Sequence, residues 1–320
     1  FNGNSTGTFE VGHAGATSTI AVNAGSSLAY GIGYQASDAT VTATNIDING
    51  TGTNALSHGI QLVDNDAVGS FTLAGTNTID ATGGNGVFIQ DINASISGLT
   101  LGASATGAGD DITGDGIRIN QTGAISNTVT LSDIVMGTGG NGDTGDIAGA
   151  GIRIASSSTG VLTLNLTGTN VIRSTGQALD VEDVGAGTAN NLLLSIDNTT
   201  FESAASGVPS VEITGQNVST TESSIGIRSF ANNTVIGNGT GGGILFQAVD
   251  FDGAGGAVAG GTLDVGQGTS NRVQGDGLSL IDTTGELGFT TLNIFNNNGT
   301  GLEVDTKTNG FNTVFALNGG

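Results

Sequence analysis

Two Asp-rich turns hold the side chains in this sequence whose types and spacing best suit chemistry. One turn carries Asp110, Asp111 and Asp115, and the other carries Asp143 and Asp146. Clustered carboxylates on loops are the hard oxygen ligands that Ca²⁺ prefers. The five residues are therefore calcium candidates, and the alternative is that Asp simply forms the turns. No other cofactor is expected, because Cys is absent and the two His residues stand apart in the sequence.

These turns belong to a repeating unit. A short apolar-x-apolar triplet recurs along the chain, usually directly after Gly or Ala, at intervals of 24 to 35 residues. Such a period marks a repeat architecture, in which each unit buries its apolar face only against its neighbours. The copies occupy residues 59–62, 86–89, 116–119, 151–154, 178–181, 211–213, 243–246, 277–280 and 301–304, with a weaker copy at 31–34.

Each unit has the pattern of two or three short strands and no helix. Apolar residues alternate with a period of two, which sends one side chain inward and the next outward. No segment keeps a helical period, and Gly, Asn, Asp, Ser and Thr form the turns between the alternating segments. In-register stacking of such units predicts an all-β fold. The expected architecture is a right-handed parallel β-helix of about ten rungs, roughly 50 Å long at ~4.8 Å per strand.

Two cations are expected to stack on the outer face of this coil. Arg118 and Arg153 hold the same place in adjacent units. Like charges at ~5 Å repel by about 1 kcal/mol in water, and Asp115 or Asp180 is expected to offset this repulsion. A structural pair is the preferred interpretation, and a clamp for an anionic ligand is the alternative.

An Asn follows the second alternating segment of most units. Asn tolerates the left-handed backbone of a sharp corner. Asn amides stacked at one corner can also bond to one another from rung to rung. The sequence therefore predicts an Asn corner, with simple turn filling as the alternative. The clearest examples are Asn77, Asn170, Asn198, Asn233, Asn271 and Asn298.

The repeated Gly-Ile-Arg-Ile at 116–119 and 151–154, together with these Asn positions, resembles the right-handed parallel β-helix of secreted bacterial proteins. The pattern is most similar to the passenger domains of autotransporters and to large surface adhesins. The resemblance covers nearly the whole chain and rests on pattern alone. It implies a protein outside the cell or on the surface of a bacterium.

Enzymes also use this fold, so a polysaccharide lyase or hydrolase is the alternative function. Asp110 and Asp111 with Asp115, close to Arg118, are the best candidates for acid–base sugar chemistry. His58 is expected to be a polar turn residue just before a strand. Only six Lys and Arg are present, Trp is absent and Tyr numbers two, so groups to hold a polyuronate or stack on sugars are few. The preferred prediction is that the protein is not an enzyme.

The net charge of −22 excludes several partners. Nucleic-acid binding depends on neutralising phosphates with Lys and Arg, and an anionic membrane surface repels acids for the same reason. Neither partner is expected. An acidic surface keeps a large extracellular protein soluble and attracts divalent cations.

A chain of 320 residues often forms two domains. A solenoid core grows with repeat number, however, so residues 1–320 are predicted to form one domain. The apolar alternation is already present at residues 8–11 and persists at 312–317. The chain is therefore expected to be a processed product or a fragment of a longer one.

The expected function is that of an extracellular structural or adhesive rod. Terminal rungs of a β-solenoid expose unpaired backbone groups, so the rods are expected to stack head to tail into a filament or biofilm-type matrix. Partners are then other copies of the chain or host and cell-surface ligands. Contacts are expected at the Gly-rich insertions 137–150 and 253–261.

An ice- or mineral-binding surface needs rows of Thr. Thr-x-Thr occurs at 42–44 and 306–308. Such pairs do not recur from rung to rung in the sequence, so this function is not expected.

Overall fold

The computed structural model of the chain is described for most of its length. The described residues are 6–22, 30–50, 56–64, 68–80, 82–102, 112–137, 146–185, 188–219, 222–237, 240–251, 258–266, 273–296, 298–305 and 313–317.

The described chain winds as an all-β parallel solenoid, as predicted. It makes about eight turns, slightly fewer than the ten rungs expected from the triplet count. The described residues contain no α-helix. None of their segments forms a helix long and apolar enough to span a membrane.

One side of the coil is sheet A, a stack of ten parallel strands. Each of these strands contains one of the apolar-x-apolar triplets. The strands are β3 (Tyr30–Gln35), β6 (Leu56–Val63), β9 (Thr82–Gln90), β11 (Ile117–Gln121), β13 (Ile152–Ser156), β16 (Leu179–Asp183), β19 (Val211–Thr214), β22 (Ile244–Gln247), β25 (Leu278–Ile281) and β27 (Leu302–Asp305).

The rest of each turn belongs to sheet B, whose 18 strands run in two adjacent rows. Row 1 follows sheet A along the chain, and row 2 follows row 1. Row 1 contains β1 (Thr6–Gly12), β4 (Asp38–Thr44), β7 (Ser70–Ala74), β14 (Leu162–Thr167), β17 (Leu192–Ile196), β20 (Ile225–Ser229), β23 (Val249–Phe251) and β28 (Thr313–Leu317). Row 2 contains β2 (Ser18–Val22), β5 (Ile46–Gly50), β8 (Asn77–Asp80), β15 (Asn170–Ser174), β18 (Thr199–Ser203) and β21 (Asn233–Gly237). Four long strands span both rows: β10 (Asn93–Leu101), β12 (Asn127–Met136), β24 (Val258–Val265) and β26 (Thr284–Ile294).

Apolar side chains form columns inside the coil. Ile60 pairs with Val87, which pairs with Ile117, and the column continues through Ile152 to Leu179. All five side chains are at most 1% exposed. Because strand side chains alternate with a period of two, this register buries the first and third residues of each triplet and turns the middle residue outward. The predicted aliphatic column is confirmed.

The Gly that precedes most triplets is explained by close packing against row 2. A Cβ on Gly59 would lie 2.4 Å from Cγ2 of Ile79, and one on Gly151 would lie 2.4 Å from Cγ2 of Ile172. Neither Gly has a positive φ. Sheet A therefore begins where its backbone touches the aliphatic side chains of row 2. Ala178, fully buried at the same place, shows that a small side chain can fit in one turn.

A left-handed corner joins row 1 to row 2. In eight turns one residue has a positive φ there, and it is Asn, Asp or Gly. The corner residues, in chain order, are Asn45, Gly75, Gly98, Asp133, Gly168, Asn198, Asn232 and Gly261.

The predicted Asn corner is confirmed in part. Asn198 lies at this corner and accepts a 3.4 Å hydrogen bond from Nδ2 of Asn232, one turn further along. In contrast, Asn77, Asn170 and Asn233 are buried at the start of row 2. Their amides bond mainly to the backbone; for example, Oδ1 of Asn233 accepts from the Thr199 N–H at 3.0 Å. The buried amide satisfies backbone groups left open by the corner.

Candidate functional site

The outer face of sheet A carries the charged side chains predicted from the sequence. The residue between the two inward positions of each triplet points away from the core. Parallel register aligns Phe88 with Arg118, Arg118 with Arg153, Arg153 with Asp180, and Asp180 with Glu212. Along the axis, this column changes from aromatic to cationic to anionic over five turns.

Arg118 and Arg153 stack as predicted, and carboxylates neutralise them. Asp115 lies 3.6 Å from Nη1 of Arg118 and 3.5 Å from Nε of Arg153. Asp180 lies 3.2 Å from Nη2 of Arg153. The two guanidinium groups are therefore held between carboxylates of their own and neighbouring turns, which supports the structural interpretation of the pair.

Asp115 is fixed by its position before β11. Its Oδ1 accepts a 2.9 Å hydrogen bond from the Ala150 N–H of the next turn. Its own N–H donates to Oδ1 of Asn85 on the preceding turn at 2.9 Å. The side chain is only 6% exposed. In the described chain, the cations beside this carboxylate are arginines.

The other calcium candidates are not gathered around Asp115. Asp110, Asp111 and Asp143 lie outside the described residues. Asp146 is buried, and its backbone carbonyl accepts a bond from the Ile112 N–H. Within the described part of the chain, no group of three His, Cys, Asp or Glu side chains is placed to hold a metal. Calcium binding at these turns stays a prediction.

An acidic depression of about 220 Å³ follows the arginine pair. It is lined by Asp180, Val181, Glu182, Glu212 and Thr214. Burial raises the pKa of Asp180, Arg153 opposes this effect, and the nearby carboxylates, Glu212 first among them, raise the pKa further. Glu212 accepts a 2.6 Å hydrogen bond from Nε2 of Gln177. A proton is therefore held more tightly at Asp180 than on an exposed Asp.

Three aromatic rings stack on the other side of the arginines. The ring centroids of Tyr30 and His58 are 6.3 Å apart, and those of His58 and Phe88 are 5.3 Å apart, with near-parallel planes. His58 lies within β6, so the expectation that it sits in a turn was wrong. Burial lowers the pKa of His58, and the charge of Arg118 lowers it further. Its Nδ1 accepts from the Asn85 N–H at 3.1 Å, so the ring acts as a neutral stacking partner.

A buried polar cluster lies inside the coil where sheet A turns into row 1. Asp183 is 2% exposed, and Asn191 donates to Oγ of Ser156 at 3.1 Å. Burial raises the pKa of Asp183, and hydrogen bonds from Gly185, Ser224, Asn191 and Ser156 partly offset this. Sequence reasoning missed this cluster. The only signal was a polar residue directly after a triplet, which a turn explains equally well.

A further depression of about 300 Å³ opens beside the turn that precedes β19. Val208, Pro209, Leu245, Asp276 and Glu303 are among its lining residues. It combines apolar side chains with two acids and is open to solvent. Residues 240–243, which lead into β22, also line it.

The outer face of row 1 carries a hydroxyl lattice that the sequence analysis did not predict. Side chains at three outward positions recur on five successive turns in unbroken register. Apart from one Ala and two Asn, all are Thr or Ser. The turns contribute Thr40, Thr42 and Thr44; Ser70, Thr72 and Ala74; Asn93, Ser95 and Ser97; Thr128, Thr130 and Ser132; and Thr163, Asn165 and Thr167. Thr-x-Thr itself does not recur from rung to rung, as expected, but Ser-x-Thr, Asn-x-Ser and Thr-x-Asn take its place on individual turns.

Comparison of the chain with protein families, with curated proteins and with solved structures gave no match.

Proposed function

We propose that this chain is a structural or adhesive protein of the bacterial cell surface or extracellular space, acting as a rigid β-solenoid rod without catalytic activity. The observation that carries the proposal is the unbroken parallel ladder of sheet A, ten strands long. At ~4.8 Å between strands, nine intervals give a rod of roughly 45 Å. A ladder in which every turn is bonded to the next resists bending and leaves few frayed sites for proteases.

The pairing of charges supports the same proposal. Of the four basic residues in the described chain, Arg118, Arg153 and Arg173 all form ion pairs, and Arg228 is exposed. Arg173 binds Glu202 across adjacent strands at 2.9 Å. These bases hold turns together rather than converging on an open point where a substrate could bind.

Adhesive contacts fit the places where the chain leaves the regular coil. The depression beside Pro209 offers apolar side chains with acids at its edge. Most of the predicted insertions 137–150 and 253–261 lies outside the described residues. Host or cell-surface ligands would bind at such irregular segments, because the backbone groups of the strands between them are already paired with neighbouring turns.

Self-assembly is the second part of the proposal. Phe9 and Val304 are 37% and 46% exposed on the outermost described turns, although they belong to inward columns. Further turns, supplied by another copy, can cover this apolar surface and extend the ladder into a filament. Because the chain carries a net charge of −22, such stacking would be favoured by salt or Ca²⁺, which screen the repulsion.

Binding and turnover measured together test the proposal. The purified chain is immobilised and exposed to cell-surface glycans and proteins, and the same preparation is incubated with a panel of polysaccharides. We expect saturable binding with no new reducing ends and no unsaturated uronates. Turnover that disappears in Asp180→Asn would contradict the rod function.

The alternative is a polysaccharide lyase or hydrolase, and the acidic depression is the observation that favours it. Asp180 and Glu212 face outward on adjacent strands, one strand spacing apart. The raised pKa of Asp180 is what a general acid needs. Two carboxyl groups about 5 Å apart suit a retaining glycosidase. In this case Glu212→Gln, as well as Asp180→Asn, would abolish turnover while Arg173→Gln would not.

A further inference from the structure

The hydroxyl lattice on row 1 stands out from the rest of the molecule by its lack of charge. None of its fifteen positions is Asp, Glu, Lys or Arg, although the whole chain contains 28 acids. Acids lie at its edges: Glu10 is below Thr42 on β1, Asp38 precedes Thr40 on β4, and Asp133 follows Ser132 on β12. Charge is therefore absent from the fifteen lattice positions and present only at their edges.

The lattice is regular in two directions. Along the axis, neighbouring side chains are one strand apart, ~4.8 Å, and along a strand they are two residues apart, about 6.7 Å. None of the pairings among β4, β7, β10, β12 and β14 contains a register shift within these columns. Most of these strands carry both hydroxyls and methyl groups at positions that repeat from turn to turn.

These hydroxyls have few partners in the protein. Thr42, Thr72 and Thr130 donate no side-chain hydrogen bond to any described residue, and the contact of Ser70 with Thr40 is long at 3.5 Å. The hydroxyls of these three Thr face solvent, whereas Ser97 donates to the Leu73 carbonyl at 3.2 Å. A shallow groove of about 220 Å³ runs along the middle of the face, lined by residues of β7, β10 and β12.

We propose that this face binds ice, with ordered water held on the hydroxyl lattice as the contact layer. Ice is an uncharged, periodic array of hydrogen-bond donors and acceptors, which matches a neutral and periodic protein face. The methyl groups restrict the orientation of adjacent water, and the hydroxyls anchor it at fixed spacings. The inference is independent of the rod function.

Other occupants fit the face less well. Two copies meeting here would bury about 400 Å² each, or about 800 Å² in total, which is less than a stable interface requires. A sugar polymer is usually held by aromatic platforms, and no lattice position is aromatic. A polyanion requires Lys or Arg, and the lattice has neither. An extended crystal of neutral water avoids all three difficulties.

The test is thermal hysteresis, the gap between the melting and growth temperatures of a seeded ice crystal. We expect the parent chain to show hysteresis and, when fluorescently labelled, to coat an ice hemisphere. Thr130→Lys, in the middle column of the lattice, should lose most of both signals. Thr72→Lys is the second variant, placed on another turn so that the result does not depend on one site.

Thr200→Lys is the matched control. Thr200 also points outward from a strand of sheet B, but it lies in row 2, away from the lattice. It should keep full hysteresis, and circular dichroism should show all variants folded. Absence of hysteresis in the parent, or equal loss in Thr130→Lys and Thr200→Lys, would overturn the proposal. Binding to crystalline cellulose or chitin without ice activity would overturn it as well and reassign the face to a carbohydrate.

Discussion

Asp183 shows how a single ionisable residue inside the coil lowers the stability of the fold. Its carboxylate is buried against the turn from sheet A into row 1, and burial raises its pKa above 3.8. The native state therefore binds this proton more tightly than the unfolded chain does. Stability falls as the pH rises from 3.8 through the native pKa, and the full cost of the buried charge is present at neutral pH.

Asp183→Asn should remove this cost. Asn keeps the acceptor for the Gly185 N–H, which bonds to Oδ1 at 2.8 Å, and it has no charge. We expect a higher urea midpoint than the parent at pH 7 and little gain below pH 3.8. Asp38→Asn changes the same charge at an exposed site and serves as the control. Equal urea midpoints for Asp183→Asn and the parent at pH 7 would show that the buried carboxylate carries no penalty.

The placement of a side chain could be predicted from the sequence where the period-two alternation fixed the face to which it points. It could not be predicted where the partners of the side chain come from other turns. The stacking of Arg118 on Arg153, and their neutralisation by Asp115, followed from spacing alone. The cluster around Asp183 did not, because its partners come from three turns. Likewise, the hydroxyl lattice appears only when the register of five strands is known, since no single turn repeats the motif of the next.

At the scale of the elements, the corner between rows 1 and 2 decides how each turn closes. Asp133 and Asn232 each accept a backbone hydrogen bond from the turn above, from Thr169 and Thr262 at 3.0 and 3.1 Å. The corner residue above each of them is Gly168 or Gly261. A Cβ on Gly168 would lie 2.7 Å from Oδ1 of Asp133, and a Cβ on Gly261 would lie 2.5 Å from Oδ1 of Asn232. An Asx oxygen that accepts this backbone bond thus requires Gly above, whereas Asn198, which accepts instead from Nδ2 of Asn232, has Asn above it.

Gly168→Ala tests this rule. Gly168 has φ +73° and faces Oδ1 of Asp133, whereas Gly207 has φ +76° and no atom within 4 Å of a Cβ. Gly207→Ala therefore reports the left-handed backbone alone, about 1–2 kcal/mol. Gly168→Ala should cost more, because the clash adds to the backbone term.

The measurement is the free energy of unfolding from urea titration of both variants. Asp133→Ala combined with Gly168→Ala removes the oxygen that clashes and should bring the cost of the alanine back toward that of Gly207→Ala. Equal costs for the two single variants would mean that the corner tolerates a Cβ, and that Gly is present only for its φ.

At the scale of the whole molecule, the coil behaves as a stack of equivalent turns, and this property can be tested by removing one. Stability of such a stack is approximately a sum of turn energies and nearest-neighbour interfaces. In the parent, Ile117 pairs with Ile152 and Ile152 pairs with Leu179. Deleting residues 152–178 joins Gly151 directly to Leu179, so that Leu179 takes the place of Ile152 on Ile117.

The shortened chain should fold, because the new neighbours match. Arg118 would face Asp180 in place of Arg153, and Val129 would stack on Leu194 in place of Leu164. We expect parallel-sheet circular dichroism, one cooperative unfolding transition and a rod shorter by ~4.8 Å in small-angle scattering. Deleting residues 153–178 is the matched control, because a shift of one residue sends the inward column outward. That control should unfold or aggregate. If both deletions fail alike, the turns are not interchangeable, and the rod depends on long-range features of the chain rather than on contacts between adjacent turns.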